Sequence, residues 1–102
     1  MNATEFQRVA KALAERRRFE ILEAIAIHDE LSCKEIVEQF TVSQATISHH
    51  LKELVNAGLI KSRREGQYCY YSVRTQVLSE YISQLHRLVA VSTGKQKTRN
   101  FI

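Results

Sequence analysis

A chain of 102 residues, 44% apolar and 25% charged, supports one domain with a modest core that a second copy would enlarge. Its net charge of +4 favours a polyanionic partner only mildly, and no run of about 18 apolar residues offers a membrane span. The first residues lack the basic-then-apolar layout of a secretion signal, so a cytoplasmic chain with Cys33 and Cys69 reduced is expected.

Proline is absent, and glycines at 58, 66 and 94 punctuate the chain. Residues 3–13 carry Phe6, Val9, Ala10 and Leu13 at the spacing of a short amphipathic helix. Residues 16–28 carry Phe19, Ile21, Leu22, Ile25 and Ala26, a second and more deeply buried helix. Ser32 and Glu35 then form a capping box, in which each side chain satisfies the other's backbone N–H. That box opens a third helix with Ile36, Val37 and Phe40 turned inward.

Residues 43–59 (SQATISHHLKELVNAGL) read as one helix capped by Ser43. Its apolar seam is Ile47, Leu51, Leu54 and Val55, and Gly58 closes it in the left-handed conformation with Leu59 folding back. Opposite the seam lie Gln44, Ala45, Thr46, His49 and Lys52, with Ser43 and Ser48 beside them and His50 at the boundary. Small donors and acceptors at a helix start, with a cation further along, suit entry into the DNA major groove. Gln44 fits a bidentate contact with adenine, Thr46 a phosphate or a thymine methyl, and Lys52 a phosphate. His49 points almost directly away from the core, whereas His50 reads equally as a DNA contact or a packed side chain.

After Gly58 the period changes. Residues 59–64 and 67–73 are β-prone and join through Glu65 and Gly66 as a hairpin, with Lys61, Arg63 and Arg64 around the turn and Gln67 at its tip. Such cations also guard a solvated edge strand, but directly after a recognition-type helix they favour a minor-groove or phosphate contact through Arg63, Arg64 and Gln67. Helical spacing returns over about 75–92 with Val77, Leu78, Tyr81, Ile82, Leu85, Leu88 and Val89. This stripe is too wide for the compact unit before it, and a second copy is the economical partner. Residues 1–93 thus make the DNA-binding and dimerisation domain, and 94–102 a flexible basic tail.

Three helices, a recognition-type helix and a basic hairpin give a mainly α fold, a winged helix-turn-helix. Residues 43–54 (SQATISHHLKEL) with 57–60 (AGLI) resemble the signature of the arsenic-repressor (ArsR/SmtB) family of bacterial transcriptional repressors. Residues 12–22 (ALAERRRFEIL) resemble its opening motif and 64–71 (REGQYCYY) its wing, so the likeness spans roughly 5–90. The resemblance implies a homodimer built on the first and last helices, through Phe6, Val9 and Leu13 and the stripe of the last helix. It also implies an inverted-repeat operator, repression by promoter occlusion and a cytoplasmic, nucleoid-associated protein, usually released by an effector.

The family's metal ligands are missing. Its Cys-x-Cys pair falls on Ser32 and Lys34 with Cys33 between, and its Asp-x-His site on Gln84 and His86 with no second histidine pair downstream. One thiolate beside an ammonium is no thiophilic metal site, so no metal and no cofactor are expected and the effector stays open. His28, Asp29, Glu30 and Cys33 read as a polar turn. Cys33, at a helix start beside Lys34, is expected to have a lowered pKa, which keeps a thiol-responsive regulator as an alternative. Cys69 reads as a small core residue, and proximity of the two thiols is not expected. An enzyme is excluded for want of a phosphate loop, paired carboxylates or a sheltered nucleophile with its base. A protein- or RNA-binding winged helix is the other alternative, because Tyr68, Tyr70 and Tyr71 sit in the hairpin.

Overall fold

The computed structural model describes the backbone of residues 1–99 and the side chains of residues 1–94. Five helices and three short strands run in the order α1 (Ala3–Ala14), α2 (Arg16–His28), β1 (Leu31–Ser32), α3 (Cys33–Gln39), α4 (Gln44–Asn56), β2 (Ile60–Glu65), β3 (Tyr68–Val73) and α5 (Thr75–Arg99).

Local chemistry sets most of the boundaries. Asn2 caps α1 and exchanges hydrogen bonds with Glu5, and Glu15 caps α2 by accepting from the Arg18 N–H at 2.7 Å. The expected capping box is present, the Glu35 N–H donating to Ser32 Oγ at 3.1 Å and the Ser32 N–H to Glu35 Oε1 at 2.8 Å. Helix α4 starts on Ser43, whose Oγ accepts from the Thr46 N–H. It ends where the N–H of Leu59 returns to the Leu54 carbonyl and that of Gly58 to the Val55 carbonyl. This paired closure needs the left-handed backbone that Gly58 supplies, at φ 78°. At the hairpin, Gly66 (φ 61°) provides the positive φ of a two-residue turn between Glu65 and Tyr68.

Helices α1 to α4 and the sheet enclose one core of Val9, Ala12, Ile21, Leu22, Ile25, Leu31, Ile36, Ile47, Leu51, Leu54, Leu59 and Ile60. The inward positions expected along α2 hold for Ile21, Leu22 and Ile25, but Phe19 and Ala26 are exposed. On α4, Val55 lies at the rim of the core (37% exposed), and the last place inside is taken by His50.

Three differences from the sequence reading matter for the site. First, the hairpin is part of a three-stranded sheet ordered β1-β3-β2, because Leu31 and Ser32 pair antiparallel with Tyr71 and Tyr70. Second, α5 continues through Gly94 to Arg99, where a helix ending near 92 and a tail from 94 were expected. The side chains of residues 95–99, and all of residues 100–102, lie outside the described part, so the flexible tail remains an expectation.

Third, Val9 has no exposed surface and belongs to the chain's own core, which corrects its placement at a dimer contact. Leu13, Val77, Leu78 and Tyr81 likewise pack against that core while staying partly accessible. Phe6 stacks on Tyr81 with ring centroids 4.7 Å apart, which fastens the start of α5 to α1. Beyond that anchor α5 leaves the body of the protein, and the principal-axis extents with the helix included are 63 × 25 × 23 Å.

Candidate nucleic-acid interface

Burial divides the side chains of α4. Ile47, Leu51 and Leu54 seat the helix on the core, and Ser43, Gln44, Ala45, Thr46, Ser48, His49 and Lys52 are exposed as expected. The Thr46 hydroxyl lies 2.9 Å from Ser43 Oγ, so it is engaged within the cap.

Of the two readings open for His50, the structure takes the packed one rather than the DNA contact. Only 8% exposed, His50 turns into the gap between α4 and the start of α2, its Nε2 3.7 Å from Glu15 Oε2 and its Nδ1 buried without a partner. Burial pushes its pKa below the ordinary histidine value, and the Glu15 carboxylate offsets this only in part. The contact with Glu15 is longer than a hydrogen bond, so desolvation wins and the ring is neutral at pH 7. The ambiguity was geometric: at a 100° step His50 sits at the edge of the seam, and only the neighbouring helix decides which way an edge residue leans.

The wing is shaped by Arg63. Its Nη2 and Nε reach the two carboxylate oxygens of Glu30 at 2.9 and 3.3 Å, its Nη1 reaches Glu65 at 2.7 Å, and its guanidinium lies 4.7 Å from the centroid of Tyr70. Glu30, then Glu65, holds the group still more firmly charged than a free arginine. With two carboxylate partners and an aromatic face, this half-exposed arginine is engaged within the free protein rather than standing as an unpaired cation. It clamps β2 to the turn between α2 and β1. Lys61, Arg64 and Gln67 remain exposed along the hairpin.

The two ends of the expected interface meet. An open groove of about 620 Å³ is lined by Gln44 at the start of α4 and by Gln67, Tyr68 and Cys69 at the wing, with Ser32, Cys33, Lys34, Val37 and Glu38 as its floor. The thiols are thereby neighbours, contrary to the sequence reading. The β1–β3 register sets Leu31 opposite Tyr71 and Ser32 opposite Tyr70, which brings the next residue, Cys33 at the start of α3, close to Cys69 in the groove. The expected lowering of the Cys33 pKa is also overturned. Burial raises it first and the Cys69 thiol raises it further, while the Ser48 hydroxyl opposes both. Among the described residues, no three His, Cys, Asp or Glu side chains converge as a metal site, and no helix is long and apolar enough to cross a membrane.

Comparison with known proteins agrees with this architecture. Residues 15–62 match the family model described as bacterial regulatory protein, arsR family. The arsenical resistance operon repressor of Staphylococcus aureus is 30% identical over 97 residues, covering 95% of this chain and 89% of the repressor. An ArsR-like transcriptional regulator from Rhodococcus sp. RHA1 superposes with a TM-score of 0.84 at 25% identity, over 93% of this chain and 89% of that one. The homodimeric winged helix-turn-helix DNA-binding domain of a possible ArsR-family regulator from Mycobacterium bovis is 33% identical, with a TM-score of 0.69 over 85% of this chain and 79% of its own. Helix order, the sheet joining α3 to the wing, and an α4 with an outward polar face are features of a transcriptional regulator rather than an enzyme, and the chain belongs to the ArsR family of winged helix-turn-helix regulators.

Proposed function

We propose that the protein is a homodimeric repressor that inserts α4 of each protomer into the major groove of an inverted-repeat operator. The observation that carries this reading is the groove shared by Gln44 and Gln67, which presents the start of α4 and the wing tip to one continuous surface. Gln44 reads adenine through its carboxamide, and the Thr46 methyl meets thymine. His49 contacts a base edge, with the small Ser48 and Ala45 letting the helix approach. Lys52 and Arg64 neutralise phosphates and set the register, while Gln67 reaches the sugar-phosphate backbone or the minor groove. Arg63 acts indirectly, by holding the wing.

The second copy follows from α5. Ile82, Leu85, Leu88, Val89 and Val91 are 40–63% exposed along one helix, an apolar stripe that a single chain leaves in water. Pairing α5, and the accessible edges of Phe6 and Leu13 on α1, with the same surfaces of another copy buries it and sets two α4 helices about 34–36 Å apart, one turn of DNA. The homodimer described for the Mycobacterium bovis relative supports this arrangement. Bound at a promoter in the cytoplasm, the dimer represses by occluding polymerase.

The test is a gel shift and fluorescence anisotropy titration with duplexes tiled across the DNA upstream of the coding sequence. Repression predicts one duplex with an inverted repeat bound by two protomers, with steep salt dependence. Equal, weak binding to every duplex would reject sequence-specific control.

A further inference from the structure

Two cysteines 36 positions apart in the chain are brought together at the end of one strand pair, Cys33 directly after β1 and Cys69 within β3. Directly opposed residues in an antiparallel pair have their Cα atoms about 4.5–5.5 Å apart and their side chains on the same face. That spacing lies inside the range of about 4.4–6.8 Å that a disulfide requires. Ser32 and Tyr70 are the last pair of this ladder; Cys33, which follows Ser32 as the first residue of α3, and Cys69, which precedes Tyr70, lie close enough to interact and both line the open groove, so a small reagent reaches either sulfur from solvent. Their surroundings couple them to the proposed interface. Cys33 is the first residue of α3 and neighbours Ser48 of α4, while Cys69 lies two positions from Gln67 and opposite Arg64 on β2. Gln44 lines the same groove.

We propose that Cys33 and Cys69 are a dithiol modification site, closed by a peroxide into an intrachain disulfide that weakens the hold of α4 and the wing on DNA. The regulatory half of this inference rests on the DNA-binding reading above; the chemical half does not. In the first step one thiol reduces the peroxide, gaining an oxygen as sulfenic acid with release of one water (from hydrogen peroxide). In the second, the other thiol attacks that sulfur, forms the S–S bond and expels a second water. Two thiols lose two hydrogens and two electrons, and the peroxide receives both.

Closure draws the two sulfurs together to about 2.05 Å. The displacement falls on β3 relative to α3, and hence on the wing relative to α4. Re-aiming the wing by that amount removes about one contact per dimer, which corresponds to roughly tenfold in affinity.

The test treats the reduced full-length protein with a small excess of hydrogen peroxide, blocks remaining thiols with iodoacetamide, and reads intact mass and non-reduced peptides. The expected product has lost two hydrogen atoms per chain, carries a Cys33–Cys69 peptide within one chain and returns to the dithiol with dithiothreitol. It is absent from Cys33→Ser and Cys69→Ser. Disulfides between chains, or sulfinic and sulfonic acids on separate cysteines, would overturn the site.

In parallel, anisotropy with the duplex bound by the reduced protein should show about tenfold weaker binding after oxidation, reversed by dithiothreitol and missing in both serine variants. Unchanged affinity of the fully crosslinked protein would overturn the switch. Failure of the reduced protein to bind any duplex would refute the DNA-binding reading, and with it the switch, while the mass measurement still judges the site.

Discussion

Arg64 and Arg63 are adjacent in sequence, yet they should respond differently to removal. Per chain, the proposed interface gives Lys52 and Arg64 to phosphates, four cations per dimer, while Arg63 is consumed by Glu30, Glu65 and the face of Tyr70. Each neutralised phosphate contributes about 0.9 to the slope of log affinity against log salt. The wild-type slope is then about −3.6, and Arg64→Ala reduces it to about −1.8. Between about 50 and 200 mM salt the wild type should lose about 150-fold in affinity and Arg64→Ala only about 12-fold. Arg63→Ala should retain the wild-type slope, because its charge is already offset, although a loosened wing lowers affinity at every salt concentration. Anisotropy titrations of the three proteins at five salt concentrations give the slopes directly. If Arg63→Ala flattened the slope as much as Arg64→Ala, the division of labour in the wing would be refuted.

Gln44→Ala should cost about 1–3 kcal/mol per half-site on the preferred duplex and relax preference at one base pair; an unchanged ranking of single-base variants would remove Gln44 from base reading. Ile82→Asp combined with Leu88→Asp should convert the dimer to a folded monomer in analytical ultracentrifugation, since both positions are more than half exposed in one chain and put charge only into the pairing surface. A dimer surviving both would place the contact elsewhere. His50 gives a pH signature. Its folded pKa is lowered chiefly by burial, against which Glu15 pulls upward and Arg18, His49 and Arg17 push further down. Below the ordinary histidine value of about 6.5 the unfolded chain therefore binds a proton that the folded chain resists. Stability should fall as pH drops from about 6.5 towards the folded pKa, and His50→Gln should lose less over the same interval in urea titrations. Parallel pH profiles would show that the ring is not the titrating group.

What could be read from the residues in order was whatever neighbouring positions decide among themselves. Ser32 with Glu35 and Ser43 at its cap act over one helical turn and made the hydrogen bonds expected of them, and Gly58 took the left-handed backbone with Leu59 folded back into the core. The seam Ile47, Leu51 and Leu54 followed from the helical repeat, and its opposite face was legible for the same reason. The family signature lay in that contiguous stretch, so winged-helix architecture and DNA-binding class were within reach of the sequence.

Tertiary structure decided what distant segments do to one another. A two-residue strand carries no periodicity of its own, so β1 exists only because β3 offers it an edge, and Cys33 meets Cys69 only through that pairing. Glu30 and Arg63 lie 33 positions apart, and nothing local to either says that one will neutralise the other. His50 was ambiguous on its own helix until α2 arrived to bury it, and Val9 looked like half of an interface until the core closed over it. Helix caps and repeats are local, and a chain announces them residue by residue. Burial, pairing and charge neutralisation belong to contacts whose partners are set only when the core condenses.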